Sequence, residues 1–228
     1  MSLLAVPYFS DEFVTLFHGD CLEVSEWLSA DVLVTDPPYG ISNESRGTYD
    51  AVSGSHSARR VNPIRSDGSV AVRDAAVGLW GDRPRIVFGS WRAPRPEPVD
   101  HRLIWHKRKQ PPGPARCAFM LQDEEIYVTG KGFRASSPPM RSVIATDEIR
   151  SGKYGLVASV GHPTPKPLEL MELLIDRCPD GVIADPFAGS GSTLLAARNL
   201  GRRSVGVEFE ERYCELIVNR LAQQTLGV

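Results

Sequence analysis

Apolar residues along this chain come in short runs that stop abruptly at an acid, a glycine or a proline. Runs of this length, rich in β-branched and aromatic side chains, are too short for helices and have the composition of buried strands. They predict strands over residues 13–18, 31–35, 85–90, 101–107, 125–129, 181–184 and 204–207. Between them, apolar positions recur at helical spacing. Cys21, Val24 and Leu28 predict a short helix over 21–28, and residues 70–80 a helix ending near Gly81. Leu168, Met171, Ile175 and Cys178 form a stripe on a helix with Pro167 in its first turn, so Cys178 reads as core packing. Residues 192–200 predict a helix ending at Gly201, and Tyr213, Ile217 and Leu221 the buried face of a last one. Continuous apolar strands alternating with helices predict an α/β fold around a mostly parallel sheet. Three stretches lack either period. Residues 41–68, rich in Gly, Ser and Arg, predict a long mobile loop; 107–114 is a basic, proline-rich connection; 132–161 reads as loop.

The length of 228 residues suits one domain, 1–228, with no large separate recognition domain. Hydrophobic residues make up 42% and charged residues 24%, as in ordinary globular chains, and no apolar run is long enough for a membrane span. With no signal pattern at the N-terminus, the expected location is the cytoplasm. Cysteines at 21, 117, 178 and 214 have no C-x-x-C spacing, so neither a metal site nor a disulfide framework is expected. The net charge of −2 conceals an asymmetry: −7 over residues 1–40, +7 over 41–154 and −2 over 155–228. A basic middle is compatible with a bound polyanion and equally with a solvated arginine-rich surface.

Two stretches carry chemistry. After the strand at 181–184 comes Asp185-Pro186-Phe187-Ala188-Gly189-Ser190-Gly191-Ser192-Thr193, then a helix, a strand and Glu208. Gly189 and Gly191 let backbone approach a ligand, the helix start offers free N–H groups, and Glu208 is placed for two ribose hydroxyls. The dinucleotide fingerprint would want glycine at Leu194, and Asp185 would repel a pyrophosphate. That disfavours a nicotinamide dehydrogenase. A ribose with a cationic or zwitterionic tail fits better, a description that S-adenosylmethionine meets. The other stretch is Asp36-Pro37-Pro38-Tyr39-Gly40, at the carboxyl end of the strand 31–35. A carboxylate, a stiff pair of carbonyls and an aromatic face suit a planar base carrying an amino group. A proline turn that merely closes a strand would look the same.

Taken together, D-P-P-Y at 36–39, H-P-T-P-K-P at 162–167 and D-P-F-A-G-S-G-S-T at 185–193 resemble the amino-methylating DNA methyltransferases of the β motif order, in which the catalytic motif precedes the cofactor motif. The resemblance runs from about Val14 to Leu221. It implies a Rossmann-like S-adenosylmethionine methyltransferase fold with a mostly parallel seven-stranded sheet and helices on both faces. It implies S-adenosylmethionine as cofactor and double-stranded DNA as partner, and leaves room for a homodimer and a cognate restriction enzyme. Glu208 would hold the cofactor ribose and Asp20 the adenine amino group. Phe187, Gly189 and Gly191 would line the methionine tail with Asp185 near its ammonium, and Lys166 and Thr164 would meet its carboxylate. Pro165 departs from the family, which often has Gln there. Asp36 and the Pro37 carbonyl, stiffened by Pro38, would accept the target amino group while Tyr39 stacks on a flipped base. Arg46, Arg59, Arg60, Arg65, Lys107, Arg108 and Lys109 would face DNA.

Asp rather than Ser at position 36 favours adenine N6 over cytosine N4. C5 methylation needs a Pro-Cys pair, and the chain has Cys178-Pro179 in reverse. The other readings are amino methylation of RNA or a protein amide, and a nucleic-acid-binding module with a relict pocket. Without a recognition domain, the target is expected to be short or loosely read.

Overall fold

The structure is a computed structural model that describes residues 5–40, 69–109, 118–119, 121–136, 138–147, 156–162 and 164–225. In chain order its strands and helices are β1 (Phe9–Ser10), β2 (Val14–His18), a 3-10 helix (Glu26–Ser29), β3 (Val32–Thr35), α1 (Ala71–Trp80), β4 (Arg85–Gly89), β5 (His101–Lys107), β6 (Asp123–Thr129), β7 (Val143–Thr146), α2 (Leu156–Val160), α3 (Leu168–Arg177), β8 (Ile183–Asp185), α4 (Ser192–Asn199), β9 (Ser204–Glu208) and α5 (Glu211–Thr225). The strands make one sheet in the order β1-β2-β9-β8-β3-β4-β6-β5-β7. From β2 to β4 every pairing is parallel, as is β5 with β7; β1 and β6 pair antiparallel with their neighbours.

The sheet has nine strands among the described residues, not the expected seven. β1 adds a two-residue edge, and β7 lies in the stretch that reads as loop. Only Ile144 and Thr146 of β7 are buried, too few to show a period; Trp105 Nε1 donates to the Thr146 hydroxyl at 2.9 Å and pins the strand. The helix expected over 21–28 is a turn followed by the 3-10 helix. Asp20 Oδ1 accepts the Leu22 amide at 2.9 Å and the Asp20 carbonyl the Val24 amide at 2.8 Å, so Asp20 caps a single helical turn that goes no further. Trp27 then anchors the segment: it is fully buried, donates to the Cys21 carbonyl at 2.9 Å and stacks on Trp80 at 5.9 Å. Burying one such ring is worth about 4–6 kcal/mol gross, more than the tenths per residue at stake in helix propensity.

Alternate residues of each inner strand point to opposite faces. Val32, Val34, Ile86 and Phe88 pack with α3 and α4, while Leu33 and Val87 pack with the 3-10 helix and α1. Val14 and Leu16 pack with α4 and α5. Helices therefore cover both faces. Cys178 is wholly buried just beyond α3, as its place on the stripe requires.

Several arginines of the basic middle turn inward. Arg83 donates to the carbonyls of Leu28 and Ala30, both at 2.9 Å, and Arg85 to those of Gly81 and Pro98 at 2.7 and 2.9 Å. Part of the charge excess is thus structural. No helix among the described residues is long and apolar enough to cross a membrane.

Candidate active site

Because β2, β9, β8 and β3 run parallel and adjacent, their carboxyl ends share one edge of the sheet. Each ends at an acid: Asp20 two residues after β2, Asp36 immediately after β3, Asp185 closing β8 and Glu208 closing β9. All four line one cavity of about 480 Å³. An open α/β sheet places its ligand at this edge.

The glycine-rich loop is held from beneath by two of these acids. Asp185 Oδ1 accepts the Thr35 hydroxyl at 2.7 Å and the Phe187 amide at 3.1 Å. Glu208 Oε2 accepts the Gly189 amide at 2.7 Å and Oε1 the Glu210 amide at 2.8 Å. Each Glu208 oxygen keeps a lone pair for a further donor. Burial pushes Glu208 up to about 7 and Asp185 to about 6, against the pull of these hydrogen bonds. A cationic ligand relieves such a cluster and an anionic one aggravates it. Gly191, at φ +77°, turns the loop into α4 where a Cβ would stand 2.8 Å from Ile217 of α5.

Across the cavity lies a charge network. The Lys166 ammonium, on a side chain only 5% exposed, contacts Asp36 Oδ2 and lies 3.1 Å from Glu124 Oε2. Lys107, also buried, bonds the other oxygen of Glu124. The Tyr39 hydroxyl is 2.7 Å from Asp36 Oδ1 and 3.0 Å from Glu124 Oε2. Two ammoniums balance two carboxylates. Removing one member would strand a buried charge, at about 3–5 kcal/mol. Phe88 and Trp105 lie 4.9 and 5.9 Å from the Lys166 ammonium.

Asp20, Asp36, Pro37, Pro38, Tyr39, Thr164, Lys166, Asp185, Phe187, Gly189 and Glu208 all line the cavity. Gly191 stands behind it as the hinge into α4. Two lysines have partners that the sequence did not suggest. Lys166, expected on a cofactor carboxylate, pairs with Asp36 and Glu124. Lys107, expected on DNA phosphate, points into the cavity because alternation along β5 puts it on the same side as buried Trp105. Arg108 and Lys109 are exposed, Arg108 pairing with Asp147 at 2.8 Å. Arg46, Arg59, Arg60 and Arg65, with the whole expected loop, lie outside the described residues.

Sequence reasoning missed Glu124, His162 as a side chain, and Tyr213. Glu124 sits opposite Trp105 in the β5–β6 register, so Lys107 meets it diagonally; two charged residues on neighbouring apolar strands were the available signal. His162 packs edge-on against Tyr213 at 4.5 Å, and a Cβ at Gly189 would stand 3.3 Å from its Nε2. Tyr213, expected in the core, is half-buried and lines the cavity.

Residues 147–219 match the model of the N6/N4 DNA methylase family. A type II methyltransferase of Streptomyces caespitosus, M.ScaI, is 29% identical over 96% of this chain and 84% of its own length. YubD of Escherichia coli (strain K12), named as a methylase, is 30% identical over 92% of this chain and 88% of its own. Among solved structures, the PvuII DNA methyltransferase (cytosine-N4-specific) shares the fold with a TM-score of 0.66 at 15% identity, over 94% of this chain and 88% of that one. The complex of M1.HpyAVI with S-adenosylmethionine has a TM-score of 0.60 at 21% identity, over 91% and 100%.

Proposed function

The chain belongs to the DNA methylase family, and from that premise we propose that it methylates the N6 amino group of an adenine flipped out of double-stranded DNA. One observation carries the reading. The Asp36-Pro37 pair and the Gly189–Glu208 unit face a single cavity, so an amino-group acceptor and a ribose acceptor address the same space.

S-adenosylmethionine is the cofactor, and the donor set fits it: an acid-rich edge for a cationic molecule, with spare lone pairs on Glu208 for ribose hydroxyls. Glu208 would hold the ribose and Asp20 the adenine amino group. Phe187 and Gly189 would line the methionine tail. With Lys166 engaged elsewhere, Thr164 is left for the carboxylate. When bound, the cofactor supplies an electrophilic methyl group on a sulfonium.

The chain's own residues prepare the nucleophile. An exocyclic amino nitrogen is weakly nucleophilic because its lone pair is delocalised into the ring. Asp36 and the Pro37 carbonyl, accepting both N–H bonds, favour a pyramidal nitrogen with its lone pair free, so placement does much of the work. Flipping a base costs a few kcal/mol, and stacking on Tyr39 returns about 1–3 kcal/mol of it. Asp36 is placed to accept the amino proton once the methyl has moved. Arg108 and Lys109, exposed at the end of β5, are assigned to DNA phosphates. Kinship with type II methyltransferases supports protection of DNA from a cognate restriction enzyme.

Tritium transfer from labelled cofactor to unmethylated DNA, followed by digestion to nucleosides, tests the reading. Label is expected in N6-methyladenine. Label in N4-methylcytosine would overturn the choice of base, and label only in RNA or protein the choice of substrate.

A further inference from the structure

The Tyr39 hydroxyl stands between two carboxylates, Asp36 Oδ1 at 2.7 Å and Glu124 Oε2 at 3.0 Å. It has one hydrogen and can serve only one of them at a time. Whenever it donates to Asp36, the shorter of the two contacts, it covers an oxygen that the target amino group needs. Glu124 is well secured as the second acceptor: Lys107 holds its far oxygen, and Lys166 lies 3.1 Å from its near one while also contacting Asp36. Burial, with the two carboxylates beside it, raises Tyr39 well above an ordinary phenol, so the hydroxyl stays a donor.

We propose that Glu124 is a positioning residue for methyl transfer: it takes over the Tyr39 hydroxyl when the target amino group engages Asp36, and Lys107 holds it in place to do so. No covalent bond changes. The hydroxyl turns about its C–O axis, and its hydrogen passes from facing Asp36 Oδ1 to facing Glu124 Oε2, leaving Oδ1 to accept the amino N–H while Lys166 stays on Oδ2. This rests on the methyltransferase reading with Asp36 as acceptor. Without Glu124 the hydroxyl would stay on Asp36 and compete with the substrate.

Single-turnover transfer of labelled methyl groups to unmethylated DNA, measured for the wild-type chain, Glu124→Gln, Tyr39→Phe and the double variant, tests the exchange. A glutamine offers one oxygen where Lys107, Lys166 and Tyr39 had two. Glu124→Gln is expected to slow transfer about 10-fold or more, the effect of a hydrogen bond at a charged acceptor. Cofactor affinity, read by calorimetry, should stay within about 2-fold, since Glu124 lies across the cavity from Glu208. With Tyr39→Phe already in place, the same change should cost less than about 3-fold, because no hydroxyl remains to compete. An equal loss in both backgrounds would mean that Glu124 is merely structural and would overturn the proposal. So would an unimpaired Glu124→Gln, a loss confined to cofactor affinity, or a Tyr39→Phe chain without measurable transfer. Should Glu124→Gln not fold, Glu124→Asp keeps the charge between the lysines but withdraws the acceptor, and the same comparison decides. A wild-type chain that methylates no DNA would overturn the methyltransferase reading and this inference with it. An active wild type with an additive cycle would overturn this inference alone.

Discussion

Burial raises the carboxyls of Glu208 and Asp185 to about 7 and about 6, from ordinary values of 4.5 and 3.8. In the unfolded chain both lose their protons at lower pH than in the folded one. The stability they contribute is therefore complete below about pH 4, falls as pH climbs between about 4 and 7, and is level above that. Urea unfolding of the free chain should show this decline. Glu208→Gln should remove its upper part, a difference of about 2–4 kcal/mol across the interval. Ribose hydroxyls held by Glu208, as proposed, would donate to the ionised carboxylate and so oppose the trend. Cofactor affinity should rise through about pH 7 in the wild-type chain and lose that dependence in Glu208→Gln, which titration calorimetry can read.

The hinge between the glycine-rich loop and α4 makes a prediction about elements. Gly191 and Gly201 have similar backbone, φ +77° and +67°, but a Cβ on the first would meet Ile217 at 2.8 Å and one on the second nothing within 4 Å. Gly201→Ala should cost about 1 kcal/mol in backbone strain alone and leave cofactor affinity unchanged. Gly191→Ala should push α4 off α5, cost about 2–4 kcal/mol, and weaken cofactor binding at least about 10-fold as the Gly189 amide leaves Glu208. Thermal unfolding and calorimetry on the two variants separate strain from displacement. Elements of this kind were legible in the chain. β3, β4, β8 and β9 are buried on both faces, so their residues form unbroken apolar runs, and the Asp185–Thr193 loop carries its function in its glycines. β7 was not legible because burial of two side chains leaves no period. The 21–28 segment was misread because the turn capped by Asp20 ends after one round and the Trp27 anchor outweighs helical spacing. Lys107 and Lys166 were expected on DNA and on the cofactor, and their pairing with Glu124 and Asp36 was not foreseen. Which carboxylate a lysine finds depends on the β5–β6 register, and no local pattern encodes it.

Across the whole molecule, the cavity joins an acid-rich half built on β2, β8 and β9 to a charge-balanced half built on β3, β5 and β6. Asp36→Asn, which keeps the side chain's shape, should abolish transfer to DNA while the chain still binds cofactor, since Asp36 meets the acid-rich half only through its charge near Asp185. Calorimetry beside the tritium assay checks both limbs, and a large loss of cofactor affinity would show that the halves are coupled. The sheet order also sets a timetable for synthesis. β2 and β3, formed from residues 14–18 and 32–35, pair with β9 and β8 near the other end of the chain. A growing polypeptide has its first two site strands outside the ribosome long before their neighbours exist. Until residue 208 has emerged there is no complete seat for β2 in the sheet. The amino-terminal third must wait, with apolar strand faces uncovered, and this is the interval in which a holding chaperone would have most to shield.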